Sequence, residues 1–415
     1  MRTMLWIPLL AVSLVGGEVA VGATAQGRVQ DAQGNPISNT TVLVYSAGVR
    51  TGYSIFCPTC YADCGKRTST DDSGQFSIPG LADDLVFDLL VLKDGYSPEW
   101  IKNFDPLKGV AASAALTTRE PIEDVRRVLR GRVVDAKGRA VAGAVVEGSG
   151  MTYMGPDGHS YTWWVSEPRS WSDKLAVTNE NGEFELAASR PLLQMSVRIS
   201  PRAMAPSLFS GSTGAERHTI TLTSGATVHG RLLANGKPVP GVELGLVTSL
   251  RDSAYWHPEV RIATDERGRF AFTNVPPGRV WELYAIAESF AGRGAVKPVL
   301  LATGRDGDIV DVGDVHVERG LTLSGRIVLT DGKAIPEGMR LLIGPTSGGI
   351  THTITLPPDG RFTVSGLLEG AYALRPSVLG YEVPAGVYPE VLVKRDVKDY
   401  VLPLAPSGAE ISGVK

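Results

Sequence analysis

The chain has 415 residues, of which 43% are hydrophobic and 20% charged, with a net charge of −3; that is enough apolar chain for two to four domains. No long run of one sign occurs, which excludes nucleic acid as the main partner, since that demands a basic face. Glycine (48) and proline (27) exceed average usage but stay below the roughly 25–30% of low-complexity chains, and three cysteines are too few for a disulfide-dense scaffold.

Residues 1–25 read as a secretory signal peptide. Arg2 supplies the positive start, residues 4–17 are apolar, and Ala23-Thr24-Ala25 is a small-residue cleavage site, with the cut expected after Ala25. The apolar stretch is shorter than the ~20 residues of a spanning helix, and Pro8 and Gly16-Gly17 argue against a buried one. No cysteine follows the cut to carry a lipid, and no later segment is long and apolar enough to span a bilayer. The chain from Gln26 onward is therefore expected to be secreted, periplasmic or on the cell surface, without a membrane span.

The expected repeat one covers 26–119. It opens on Gly27-Arg28-Val29-Gln30-Asp31 with Gly34-Asn35-Pro36-Ile37 behind, and later carries Asp71-Asp72-Ser73-Gly74-Gln75-Phe76. Between the two lie Cys57, Cys60 and Cys64. In an exported chain these are read as one disulfide and a spare thiol. A zinc or iron–sulfur site would need a fourth ligand where the repeat has no histidine. A redox pair would lack the helix that lowers a thiol pKa.

Repeat two (120–224) begins with a short linker turn, then Gly131-Arg132-Val133-Val134-Asp135 and Gly143-Ala144-Val145, and later Asn179-Glu180-Asn181-Gly182-Glu183-Phe184. Its intervening loop is rich in aromatics: Tyr153, Tyr161, Trp163, Trp164 and Trp171. Repeat three (225–319) reads Gly230-Arg231-Leu232-Leu233, then Tyr255-Trp256-His257, then Asp265-Glu266-Arg267-Gly268-Arg269-Phe270 and Val275-Pro276-Pro277-Gly278. Repeat four (320–406) reads Gly325-Arg326-Ile327-Val328 and Pro358-Asp359-Gly360-Arg361-Phe362. Residues 407–413 resemble the lead-in to repeat three at 224–230, so 407–415 are either a tail or the start of a truncated fifth repeat. The opening glycines recur at roughly 100 residues, the length of a whole domain rather than of a solenoid turn.

Both motifs suit short antiparallel strands. Val29, Val133, Leu232 and Ile327 fall at one inward position. In Asp-x-x-Gly-x-Phe, the carboxylate bonds the turn backbone, glycine takes the left-handed position and Phe starts the next strand toward the core. Helical periodicity is nearly absent, so the fold class is all-β, a tandem array of four β-sandwich domains. The two motifs together resemble the carboxypeptidase regulatory-like domain, a transthyretin-like, Ig-like sandwich grouped with carbohydrate-binding-like folds. The resemblance covers nearly all of 26–404. It departs in repeat four at Glu337-Gly338-Met339 and in repeat two at Ala187-Ala188-Ser189-Arg190-Pro191. It implies an accessory role, no catalytic residues and no cofactor.

The residues themselves agree on chemistry. None of the six histidines opens an H-x-x-E or H-E-x-x-H motif, and neither G-x-S-x-G nor a phosphate loop is present. The segment between the motifs is longest in repeats one and two, where insertions cost little closure entropy. Tyr161, Trp163, Trp164, Trp171, Tyr255 and Trp256 are the candidate ligand-binding residues there, either as an exposed aromatic surface or as core and seam filler. The expected function is a non-enzymatic structural or interaction protein whose partner is another exported or surface protein. The alternatives are a polysaccharide binder using the aromatic loops and a metal or redox site at Cys57, Cys60 and Cys64.

Overall fold

A computed structural model describes residues 22–119, 121–164, 171–248, 260–290, 294–346 and 351–407. The expected signal sequence up to Val21 and the tail beyond Ser407 lie outside them. The chain is nearly all β, and each repeat contributes two facing sheets.

In every repeat the glycine-led strand is the middle of the first sheet. Ala23–Asp31 lies between antiparallel Gln75–Leu81 and parallel Ala112–Leu116. Val128–Asp135 lies between Glu183–Ala187 and Arg217–Leu222. Ala226–Ala234 is flanked by Arg269–Val275 and Ile309–Glu318, and Leu321–Leu329 by Arg361–Leu367 and Val397–Pro406. The second sheets centre on Thr41–Val49 with Leu85–Leu92, Val145–Met154 with Gln194–Ser200, Glu243–Thr248 with Arg279–Ala285, and Arg340–Pro345 with Gly370–Ser377. The result is a tandem array of four β-sandwiches. The chain divides into two compact units: one holds residues 22–47 and 63–118, the other 48–62 and everything from Arg119 on.

The two sequence motifs meet face to face. Gly27 pairs with Phe76, Gly131 with Phe184, Gly230 with Phe270 and Gly325 with Phe362. A Cβ on Gly131 would fall 2.4 Å from the Phe184 ring, so glycine at this position makes room for the aromatic of the partner strand. Two residues on, Val29, Val133, Leu232 and Ile327 are buried. Their N–H groups donate to the carbonyls of Gly74, Gly182, Gly268 and Gly360 at 2.7–2.9 Å. Those four turn glycines have φ of +70 to +76°. A Cβ on any of them would come within 2.1–2.6 Å of the carbonyl oxygen of that same buried residue. Both the backbone angle and the space exclude other side chains.

The corner carboxylate works as expected in repeats one and three. Asp71 Oδ1 accepts from the N–H groups of Ser73 and Gln75 at 2.9 and 2.8 Å, and Asp265 Oδ1 from those of Arg267 and Arg269. Asn179 does the same in repeat two. In repeat four that place is taken by Pro357, and only Asp359 bonds the turn, accepting from the Arg361 N–H at 3.1 Å.

One expectation is corrected. Trp171 is 8% exposed and belongs to the core of repeat two with Leu129, Val146 and Met195; its indole lies against Gly148, where a Cβ would sit 2.9 Å from the ring. It is a core filler and not part of a binding surface. The strand of repeat one begins at Ala23 and not at Gln26, so the expected cut after Ala25 would fall inside it. The linker turn, over its described residues, is a 3₁₀ turn at Val125–Arg127 running into the strand from Val128. The one α-helix among the described residues is the four-residue Ala287–Phe290. No described helix is long and apolar enough to cross a membrane.

Candidate functional site: the aromatic hairpin of repeat two

The long loop of repeat two folds as a hairpin. Val145–Met154 pairs with Ser160–Trp164, so that Tyr161 faces Tyr153, Thr162 faces Thr152 and Trp163 faces Met151. Alternation along a strand puts Tyr161 and Trp163 on one face with Tyr153 and Met151. The threonine pair, with hydroxyls 2.9 Å apart, takes the other.

The turn is closed by Gly155 N–H donating to the His159 carbonyl at 2.8 Å, with Gly158 at φ +78°. Asp157 sits at its tip. Its carboxylate accepts the Tyr161 hydroxyl and the His159 N–H. The hydrogen bond from Tyr161, helped by that N–H, holds the Asp157 carboxyl below its ordinary range. The same bond raises the Tyr161 phenol.

At its inner end the hairpin is anchored to the core: Met151 is buried and Tyr153 packs against the same cluster. Tyr153 stacks on Tyr161 with ring centroids 5.8 Å apart, and the Arg190 guanidinium lies 4.0 Å from the Tyr153 ring centroid. Further out, Tyr161 is 41% and Trp163 56% exposed. The arrangement is a held aromatic platform with a guanidinium and a carboxylate beside it. Such a surface can stack on a flat apolar face and place polar groups at its rim.

Of the six candidate ligand-binding residues, the structure brings Tyr161 and Trp163 together and sends Trp171 to the core. Trp164 is placed on the same strand, its indole outside the description, and Tyr255 and Trp256 lie outside the described residues. Sequence reasoning missed Arg190 and Asp157. The signal for Arg190 was the departure of repeat two from the proline-glycine step at residues 187–191.

Cys57 and Cys60 form a disulfide, while Cys64 is buried and stands outside it. The segment carrying the disulfide packs within the second unit. The Ser54 carbonyl accepts the Ala263 N–H at 2.6 Å, and Cys60 Sγ lies 3.8 Å from Thr273 Oγ1. Phe56 and Tyr61 meet edge to face. Among the described residues no group of three His, Cys, Asp or Glu side chains is placed to hold a metal ion.

No family model matches the chain, and no curated protein matches it. Solved structures do align with it. The Bacillus anthracis TIE protein is 11% identical over 94% of this chain and 75% of its own, with a TM-score of 0.20. A streptococcal ancillary pilin is 16% identical over 68% of this chain and 99% of its own, TM-score 0.23. BcpA, the major pilin subunit of Bacillus cereus, is 10% identical over 71% of this chain and 99% of its own, TM-score 0.20. At these scores the likeness carries no argument about function.

Proposed function

We propose that this chain is an exported, non-enzymatic interaction protein. Its four sandwiches, similar to carboxypeptidase regulatory-like domains, hold inserted loops, and the Tyr161–Trp163 face of repeat two is the surface that binds a partner protein. The observation that carries the reading is this face itself: two large aromatics left exposed on a hairpin whose base is fixed in the core. Aromatics exposed side by side on a held surface are the kind of residue that anchors an interface. The leader-like start of the sequence supports export.

The test is a photo-crosslinking amino acid placed at Trp163 in the secreting cell. A discrete adduct with one surface or exported protein, lost when Tyr161 is changed to alanine, is expected. A pattern no different from that of a crosslinker at Leu300, which is exposed elsewhere on the second unit, would sink the proposal. A second reading is favoured by the rim groups: Asp157 and Arg190 beside the stacked tyrosines suit a sugar ring, whose flat face stacks while its hydroxyls bond. Retention on an insoluble polysaccharide, abolished by Trp163→Ala, would give it precedence.

A further inference from the structure

Three of the four repeats begin in the same way. Gly22, Gly225 and Gly320 each lie close against the partner strand, with a Cβ falling 2.6 Å from the Leu81 carbonyl oxygen, 2.6 Å from the Asn274 backbone and 2.9 Å from the Gly366 backbone. The next residue opens the ladder: Ala23 pairs with Leu81, Ala226 with Val275, and Leu321 with Leu367. A register shift follows in all three. The ladder then resumes with Ala25 on Ile78, Val228 on Phe272 and Leu323 on Val364. Ala25, Val228 and Leu323 are fully buried. Residues 23–25 thus hold in repeat one the place that 226–228 and 321–323 hold in repeats three and four. A cut after Ala25 would remove the opening pairs from the middle strand of a sheet.

Two further observations move the cut to the start of this strand. Ala23 N–H donates to Asp83 Oδ1 at 2.9 Å. In the sequence, Ala20 and Gly22 stand three and one residues before Ala23. Small side chains at those two positions are what a leader peptidase requires.

We propose that a signal peptidase hydrolyses the Gly22–Ala23 bond, so that the mature protein begins at Ala23. Water adds its hydroxyl to the Gly22 carbonyl carbon as the C–N bond breaks; the Ala23 nitrogen takes one proton from the water and a second from the new Gly22 carboxyl, leaving a carboxylate and an α-ammonium. The new charge forms beside Asp83, turning a hydrogen bond to a carboxylate into an ion pair. The inference rests on the reading of the chain as exported.

The full chain is expressed in a bacterium with an intact secretion pathway, and the N-terminal peptide of the exported protein is identified by mass. The expected first residue is Ala23, and Ala20→Asp should reduce processing tenfold or more. A start at Gln26, or at any residue other than Ala23, overturns the site while leaving export standing. An intact Met1 overturns both. A second measurement compares purified chains beginning at Ala23 and at Gln26. The shorter one should melt lower and exchange amide hydrogens faster along Gln75–Leu81, and equal behaviour of the two would overturn the structural argument.

Discussion

The corners of repeats one and four do the same job with different parts. In repeat one, Asp71 bonds two backbone N–H groups and Gly74 turns the chain. In repeat four, Pro357 replaces the aspartate and Gly360 turns the chain alone but for Asp359. Both glycines bond the buried residue of the first strand, Val29 or Ile327, through their carbonyls. The difference teaches which part the corner requires. The glycine is demanded by the backbone angle and by the approach of the first strand, whereas the cap adds hydrogen bonds to a turn that forms without it.

The sharpest way to break this comparison is Gly360→Ala. Its Cβ would sit 2.1 Å from the Ile327 carbonyl. The left-handed conformation alone costs ~1–2 kcal/mol, and the clash adds to it. Repeat four should lose protection at the Ile327 amide in hydrogen exchange, and its melting should fall by roughly 4–8 °C per kcal/mol. Gly74→Ala should do nearly as much in repeat one, where the corresponding approach is 2.4 Å. If either glycine tolerates alanine, the requirement is misplaced.

Asp71→Ala should cost less than either glycine change, because the turn remains and only its cap goes. Faster exchange confined to the Ser73 and Gln75 amides is the expected sign. Acid offers a related test. Hydrogen bonds from the Ser73 side chain and the Gln75 backbone lower the Asp71 carboxyl. At Asp265, slight burial acts upward but is outweighed by the bonds from Arg269 and Arg267. A carboxyl lowered in the folded state stabilises it fully above the unfolded value near 3.8, and that contribution is lost as pH falls through the folded value. Below about pH 4 the corners of repeats one and three should loosen while that of repeat two, capped by neutral Asn179, holds. The smallest effect is expected from Pro357→Asn, which would give repeat four the cap of repeat two and slow exchange at the Arg361 amide slightly.

Much of the fold was legible in the sequence because its two motifs are also its two points of contact. Glycine, buried aliphatic, turn glycine and Phe each have a steric reason to recur, and they meet at fixed register. The candidate site was legible only in part. An aromatic-rich loop does not show which rings turn inward, so Trp171 and Trp163 looked alike until one proved to lie over Gly148 and the other on an overhanging hairpin. Arg190 reaches Tyr153 from a different strand connection, and spacing along the chain does not encode such a meeting. The start of repeat one is ambiguous in the sequence for a local reason: Ala23-Thr24-Ala25 satisfies the cleavage pattern and the strand equally well, and its pairing with Leu81 and Ile78 is not encoded in that local pattern.

The parallel pairing of first and last strands has a mechanical consequence. In repeat two the ladder runs from Arg130 on Arg217 to Asp135 on Leu222, and the other three repeats have its counterpart. Tension applied along the chain enters such a pair at the beginning of one strand and leaves at the end of the other, at opposite ends of the ladder. The load falls on all the bonds together, in shear, instead of opening them one at a time. A chain pulled by its ends therefore meets, in each sandwich, a lock whose resistance is set by the rate of unfolding rather than by its equilibrium stability.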